Sequence, residues 1–415
     1  MTVTQRARRA HPWTGLVMWF PVLCVSVALM AGVALAQSGR VVAIGDIHGA
    51  AGPLQALLMT TGLTDETGHW SGGSATLVQT GDFTDRGTGV KVVLDLLMRL
   101  EFEASAAGGR VVVLLGNHEA MNLMGILRDV NPELLASFET PQSEARRDAN
   151  YDAYVAFMED RATVLGSLLP DPLSQAEWMA AHPLGFFEYM EALGPDGTYG
   201  RWLLSKPVVA RVGDSILLHG GLHPTASPAD LSDLSETVRS EIETFYRYRE
   251  ELVDHGVILP FFTYREITTA VQQELGYWVQ LVSPTGPPAP DGNVSLSRDE
   301  RDFVSMLLDM GDMGSWAVID IAQEGPLWFR GFSRWAEDEG LPHARSLTER
   351  YGVTRIIVGH TIPASRLITP RFGNRVFLID TGMLVAHYSG RPSALEIDGS
   401  RVTAVYLDRR VPLVP

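Results

Sequence analysis

Three short β-branched runs, each followed closely by a glycine, recur about 35 residues apart: Arg40–Ile44 before Gly45, Ala75–Gln79 before Gly81, and Arg110–Leu115 before Gly116. Each run has an apolar, largely β-branched centre, which fits a strand buried on both faces. Between them lie two stretches of helical periodicity, Pro53–Thr61 with Leu54, Leu57 and Leu58, and Val90–Glu101 with Val93, Leu97 and Leu100. Strand, helix, strand, helix, strand predicts an α/β chain built on a mostly parallel sheet. Later strands are expected at Val208–Val212, Ser215–Leu218, Arg355–Val358, Val376–Ile379, Ala394–Ile397 and Thr403–Leu407. The segments 131–200 and 225–352 break the alternation and read as mainly helical insertions covering one edge of the core. Within the second, the run 283–293 is rich in proline and glycine and predicts a flexible loop.

The chain has 415 residues and a formal net charge of −16. That acidity argues against a nucleic-acid ligand, which calls for clustered basic residues. Lys91 and Lys206 are the only lysines, so the positive charge is almost all arginine. Cys24 is the sole cysteine, so no intramolecular disulfide can form. It lies in residues 1–36, where Arg6, Arg8 and Arg9 precede an apolar run ending in Ala34-Leu35-Ala36. This has the three parts of a secretory signal peptide. An uncleaved anchor is the alternative, because a run of about 20 apolar residues can span a bilayer. Residues 37–415 would then be the catalytic domain. A periplasmic or secreted bacterial protein is expected, or a membrane-anchored one facing the periplasm.

Chemistry-bearing residues follow the strands in five blocks. These are Gly45-Asp46-Ile47-His48-Gly49, Gly81-Asp82-Phe83-Thr84-Asp85-Arg86-Gly87, Gly116-Asn117-His118-Glu119, His219-Gly220-Gly221 and Gly359-His360-Thr361. Ligand sites in α/β folds gather at the C-terminal ends of strands, so the blocks should meet on one rim. Carboxylate, imidazole and amide donors without a thiolate suit manganese, iron or zinc. Asp46 and His48 can address one ion, Asp82 can bridge two, and Asn117, His219 and His360 can complete the second. With a neutral Asn117, two divalent ions would keep a net positive charge suited to phosphate. Arg86 is a bidentate phosphate ligand by type. His118 is a candidate general acid oriented by Asp85. Glu119 and Asp380 read as structural, the tryptophans as core or lid packing, and the histidines outside the blocks as surface or core residues.

The five blocks, in this order, resemble the calcineurin-like metallophosphoesterases, in the phosphoprotein-phosphatase branch. That resemblance implies a β-sandwich of mixed sheets flanked by helices, with helical insertions. It also implies a dinuclear centre and attack by metal-bound hydroxide without a phosphoenzyme. The roles it assigns fall on Asp46 and His48 for one ion, Asp82 as bridge, and Asn117, His219 and His360 for the other. Arg86 would bind phosphate, and His118 with Asp85 would act as the acid. Ile362 stands where many relatives carry a second histidine. The segments Gly325–Gly331 and Ile379–Met383 are similar to those of Shewanella-like phosphatases, which makes Arg330 a second phosphate ligand; a structural ion pair is its alternative. Two divalent transition-metal ions are expected, manganese first, with iron or zinc as alternatives. The expected substrate is a phosphopeptide or small phosphomonoester. A dinucleoside polyphosphate hydrolase and an inactive partner-binding relative remain as other readings. Acidic residues of the insertions, such as Asp148, Asp152, Asp299 and Asp302, are expected to border the rim and to disfavour polyanions.

Overall fold

The glycine-closed runs form β1 (Val41–Ile44), β2 (Thr76–Gln79) and β3 (Arg110–Val113), paired in parallel with β1 against β2 and β2 against β3. The computed structural model describes residues 39–282, 296–320 and 322–415; the signal or anchor segment 1–36 and the loop 283–293 lie outside the described residues. Helices Ala51–Thr60 and Val90–Ala106 make the two crossovers. Side chains alternate across a strand. Val42 and Ile44 of β1 join Leu54, Leu57 and Leu97 of these helices, while Val41 and Ala43 face Leu217, Ile357 and Phe377 of a second sheet. Burial on both faces is why these runs lack a polar alternation.

The second sheet holds β4 (Val209–Val212), β5 (Ser215–Leu218), β6 (Arg355–Val358), β7 (Thr369–Arg371) and β8 (Val376–Leu378), in the order β4-β5-β6-β8-β7. The first sheet continues beyond β1 through β9 (Ser393–Asp398), β10 (Arg401–Tyr406) and β11 (Arg410–Val414), all antiparallel. Both sheets are therefore mixed, as the family resemblance implies, and not mostly parallel as the opening strands alone predict. Only two residues join β9 to β10, and a link that short permits only an antiparallel pair. The sequence pattern misses β7 and β11. Both are edge strands carrying a proline, Pro370 and Pro412, and an edge is where a sheet tolerates proline without losing a ladder bond.

The insertions do more than cover an edge. Helices Ser143–Leu165, Gln175–Ala181 and Phe186–Leu193 follow β3; helices Ser232–Asp254, Tyr264–Val282 and Arg298–Gly311 follow β5. Trp178, Tyr189, Phe245 and Ile267 from these helices share one buried cluster with the outer faces of both sheets. A buried ion pair between Arg161 and Glu274 ties the first insertion to the second.

Candidate metal centre

Each of the five blocks leaves the C-terminal end of a strand in the parallel part of its sheet: Asp46 and His48 after β1, Asp82 after β2, Asn117 after β3, His219 after β5 and His360 after β6. The turns that aim these side chains are strained. His48, Asp82, Asp85, Arg86 and His360 have φ between 47° and 66°, a region that costs a non-glycine residue about 1–2 kcal/mol. Backbone bonds hold the turns in place. Asp82 O accepts the N–H groups of Ile47 and His48 at 2.8 and 3.0 Å. Glu119 accepts the N–H groups of Asp82, Phe83, Thr84 and Gly116 at 2.7–2.9 Å, and the Thr84 hydroxyl at 2.8 Å. A side chain at Gly87 would put its Cβ 2.3 Å from His48 O, so these loops can cross only with glycine there.

Asp82 stands at the centre. Its Oδ2 lies 3.2 Å from His219 Nε2, 3.7 Å from His118 Nε2 and 3.8 Å from His48 Nε2. His219 Nε2 lies 2.9 Å from both Asn117 Oδ1 and His360 Nδ1. Asp46 Oδ2 is 4.0 Å from His48 Nε2, while its Oδ1 accepts the His360 N–H at 2.9 Å. All six residues are buried. The sequence therefore converges where expected: three carboxylate or amide groups and three imidazoles meet within one cluster.

The donor set fits a cation. His219 Nδ1 lies 2.9 Å from Thr80 O, and His48 Nδ1 lies 2.9 Å from Thr84 O. A carbonyl only accepts, so each neutral ring keeps its proton on Nδ1 and turns a lone pair inward from Nε2. His219 Nε2 then faces Asn117 Oδ1 and Asp82 Oδ2, acceptor against acceptor, and a proton on His360 Nδ1 would relieve only one of its contacts. His360 Nε2 is buried without a hydrogen-bond partner among the described residues. Burial pushes the His48 imidazole down to about 3 and His360 well below its ordinary range, which keeps both rings neutral. Burial, with Asp380 and Asp82 alongside, pushes the Asp46 carboxyl well up. Carboxyl groups and imidazole lone pairs crowded into one buried cluster are the makings of a divalent-metal site.

His118 is differently supported. Its Nδ1 lies 2.6 Å from Asp85 Oδ2, and Asp85 Oδ1 accepts from Asn122 Nδ2 at 2.7 Å. Tyr189 closes the chain by donating to Asn122 Oδ1 at 2.5 Å. Burial draws the His118 imidazole down, but Asp82 and Asp85 outweigh it and hold it above its usual value. Asn122 and Tyr189 were not singled out from the sequence. Asn122 had a readable signal, one helical turn beyond His118; Tyr189 had none, since it arrives from the insertion 67 residues away.

Arg86 spans the site, with NH1 2.8 Å from His48 Nε2 and NH2 3.0 Å from His118 Nε2. Asp129 and Tyr388, also unforeseen, flank it: Asp129 Oδ1 lies 3.5 Å from Arg86 Nε, and the Tyr388 ring centre 5.4 Å from its guanidinium carbon. Arg330 stands to the side, donating through NH1 to Thr361 Oγ1 at 2.9 Å and His360 O at 3.2 Å. It makes no ion pair among the described residues, so the structural-pair alternative finds no partner there.

Two mixed sheets packed face to face, with this donor cluster on the strand-end loops, define a metal-dependent phosphoesterase. The chain belongs to the calcineurin-like phosphoesterase family, whose description matches residues 39–363. It is similar to Shewanella-like protein phosphatase 1 of Plasmodium berghei (strain Anka), 25% identical over 375 residues, which cover 89% of this chain and 75% of the relative. It is also similar to Shewanella-like protein phosphatase 2 of Arabidopsis thaliana, 34% identical over 213 residues, 50% of this chain and 52% of the relative. A crystal structure of a mutant cold-active protein tyrosine phosphatase aligns over 90% of this chain and 80% of its own, with a TM-score of 0.51 and 22% identity, a likeness of fold. The site thus uses divalent metal ions and takes a phosphorylated substrate.

Proposed function

We propose that this protein is an exported phosphomonoesterase acting on phosphorylated protein side chains, with Asp46, His48 and Asp82 holding one divalent ion and Asp82, Asn117, His219 and His360 holding the other. The single observation that carries this reading is the convergence of Asp82 Oδ2 and His219 Nε2 with Asn117 and His360 inside one buried cluster. Two bound ions would supply a water nucleophile at neutral pH and the positive charge that an in-line displacement at phosphorus needs. Manganese is favoured, because oxygen and imidazole donors without a thiolate suit it. Arg86 holds the phosphate through its planar fork, and Arg330 holds it from the other side. His118 keeps a proton on Nδ1 against Asp85 and delivers one from Nε2 to the leaving oxygen. Protein substrates are suggested by the names of the similar phosphatases. Export is suggested by residues 1–36, whose cleavage after Ala36 would leave Gln37 as the new terminus.

Purified protein should contain about two transition-metal ions per chain. It should hydrolyse a phosphopeptide with a higher kcat/KM than a dinucleoside tetraphosphate at one ionic strength. Metal analysis giving one ion or fewer with full activity would remove the dinuclear site; preference for the dinucleotide would promote the polyphosphate reading. N-terminal sequencing of the exported form should begin at or near Gln37. Residues 1–36 left intact on a cytoplasmic protein would contradict export, and intact on a membrane fraction they would favour the anchor.

A further inference from the structure

Arg330 lines a cavity of about 580 Å³ together with Thr361 and Ile362, the residues that follow His360. Arg330, Arg334 and Arg371 line it, with the hydroxyls of Ser333, Ser365 and Thr369, and no carboxylate does. In a chain of net charge −16, Arg330 and Arg334 side by side at one cavity, with Arg371 beside them paired to Glu337, is a local excess of positive charge. Arg371 is fully engaged. Its Nε donates to Glu337 at 2.8 Å, and its other nitrogens donate to Phe332 O, Ser333 O and Trp335 O at 2.6–3.2 Å. Those bonds fix the short helix Gly331–Arg334 that carries the wall. Arg334 is exposed, and neither it nor Arg330 pairs with a carboxylate among the described residues. The two therefore repel across one helical turn, Arg330 being balanced in part by Asp46, Asp82 and Asp380 on the metal side, and an anion in the cavity would relieve Arg334. Arg330 touches both spaces, since the same side chain lines the cavity and bonds Thr361 and His360 at the edge of the metal cluster.

We propose that this cavity receives a second phosphate of the substrate while the scissile phosphate lies at the metal centre. The proposal rests on the phosphomonoesterase reading and narrows it to bisphosphorylated substrates. Guanidinium forks match a phosphate's several acceptor oxygens, and charge-assisted bonds are the strong ones. Helices Ser143–Leu165 and Arg298–Gly311, which carry the acidic residues of the insertions, pack on other inserted helices, and the cavity bordering Arg330 is lined by arginines and no carboxylate.

The test compares kcat/KM for matched substrate pairs in the mature protein. One arm uses a singly phosphorylated peptide and the same peptide with a second phosphoresidue one to three positions away. The other uses propyl phosphate and propane-1,3-diyl bisphosphate. The second phosphate should raise kcat/KM by about tenfold, the worth of one charge-assisted hydrogen bond. The advantage should shrink as salt rises, and it should fall toward parity in Arg334→Ser and below parity in Arg334→Glu. An advantage in the peptide arm alone assigns the site to phosphoproteins; one in both arms assigns it to bisphosphates in general. Equal rates within both pairs for the wild type, or an advantage kept by both variants, would overturn the proposal while leaving the phosphatase reading intact. Failure to hydrolyse any singly phosphorylated ester would defeat that reading, and this one with it.

Discussion

His118 follows Asn117 directly, yet its Nδ1 is committed to Asp85 at 2.6 Å and its Nε2 is 3.7 Å from Asp82 Oδ2. A side chain held this way is set to move a proton rather than to hold an ion. His118→Asn should therefore lower kcat for an alkyl phosphate by about 10²–10⁴. The loss should be smaller for p-nitrophenyl phosphate, whose leaving group needs little protonation, and metal content should stay near wild type. A variant stripped of metal would make His118 a ligand instead. The sign of the pH dependence follows from the same contacts. Its ordinary value is 6.5; burial lowers it, but Asp82 and Asp85 outweigh burial and raise it, so the ring keeps its proton to higher pH than a free imidazole does. Turnover of an alkyl phosphate should hold below that raised value and fall as pH climbs through it, and a pH profile of kcat reads this directly.

At the scale of elements, the site depends on how three strand-end loops hold one another. Glu119, in the helix Asn117–Leu123, ends its carboxylate on backbone N–H groups of the β2–helix loop and on Gly116 at the end of the preceding loop. It reads as structural from the sequence, and every one of its bonds goes to positioning partners. Glu119→Gln keeps the size but replaces one accepting oxygen with a donor facing N–H groups. It should cost about 2–4 kcal/mol in urea denaturation and lower metal retention as Asp82 loosens. Full stability with full metal loading would show that the strained turns hold without it. The strands themselves were legible because an apolar run ended by glycine is a local signal. The edge strands β7 and β11 were not, because Pro370 and Pro412 break that signal where the sheet tolerates them.

Over the whole molecule, two cores do different work. The layer between the sheets contains Ala43, Val78, Leu217, Ile357, Phe377 and Leu395, and it fixes the spacing of the strand ends that bear ligands. The larger cluster joins the outer faces of both sheets to the inserted helices. Phe377 is fully buried in the inter-sheet layer. Phe377→Ala should cost about 3–5 kcal/mol. Because β5 and β6 carry His219 and His360 on the sheet that Phe377 supports, the variant should also bind metal less tightly. Chemical denaturation and metal titration measure the two effects. An unchanged metal affinity in a destabilised variant would mean that the loops, and not the sheet spacing, hold the site.

The order of strands and helices around β1 to β3 was determined by the sequence itself, as were the six clustered residues and the pairing of His118 with Asp85. Their signals are local: an apolar run, a glycine, and a polar residue two or three positions on. Only the tertiary structure decided which other residues come to them. Tyr189 reaches Asn122 across 67 residues, and β1 pairs with β9 across most of the chain. Arg330 and Arg334 share a cavity with Arg371 after helix, strand and loop intervene. None of these leaves a periodicity or a spacing to read. Contacts between distant segments arise from shape, burial and charge balance after the chain has packed, and those are properties of the assembled fold.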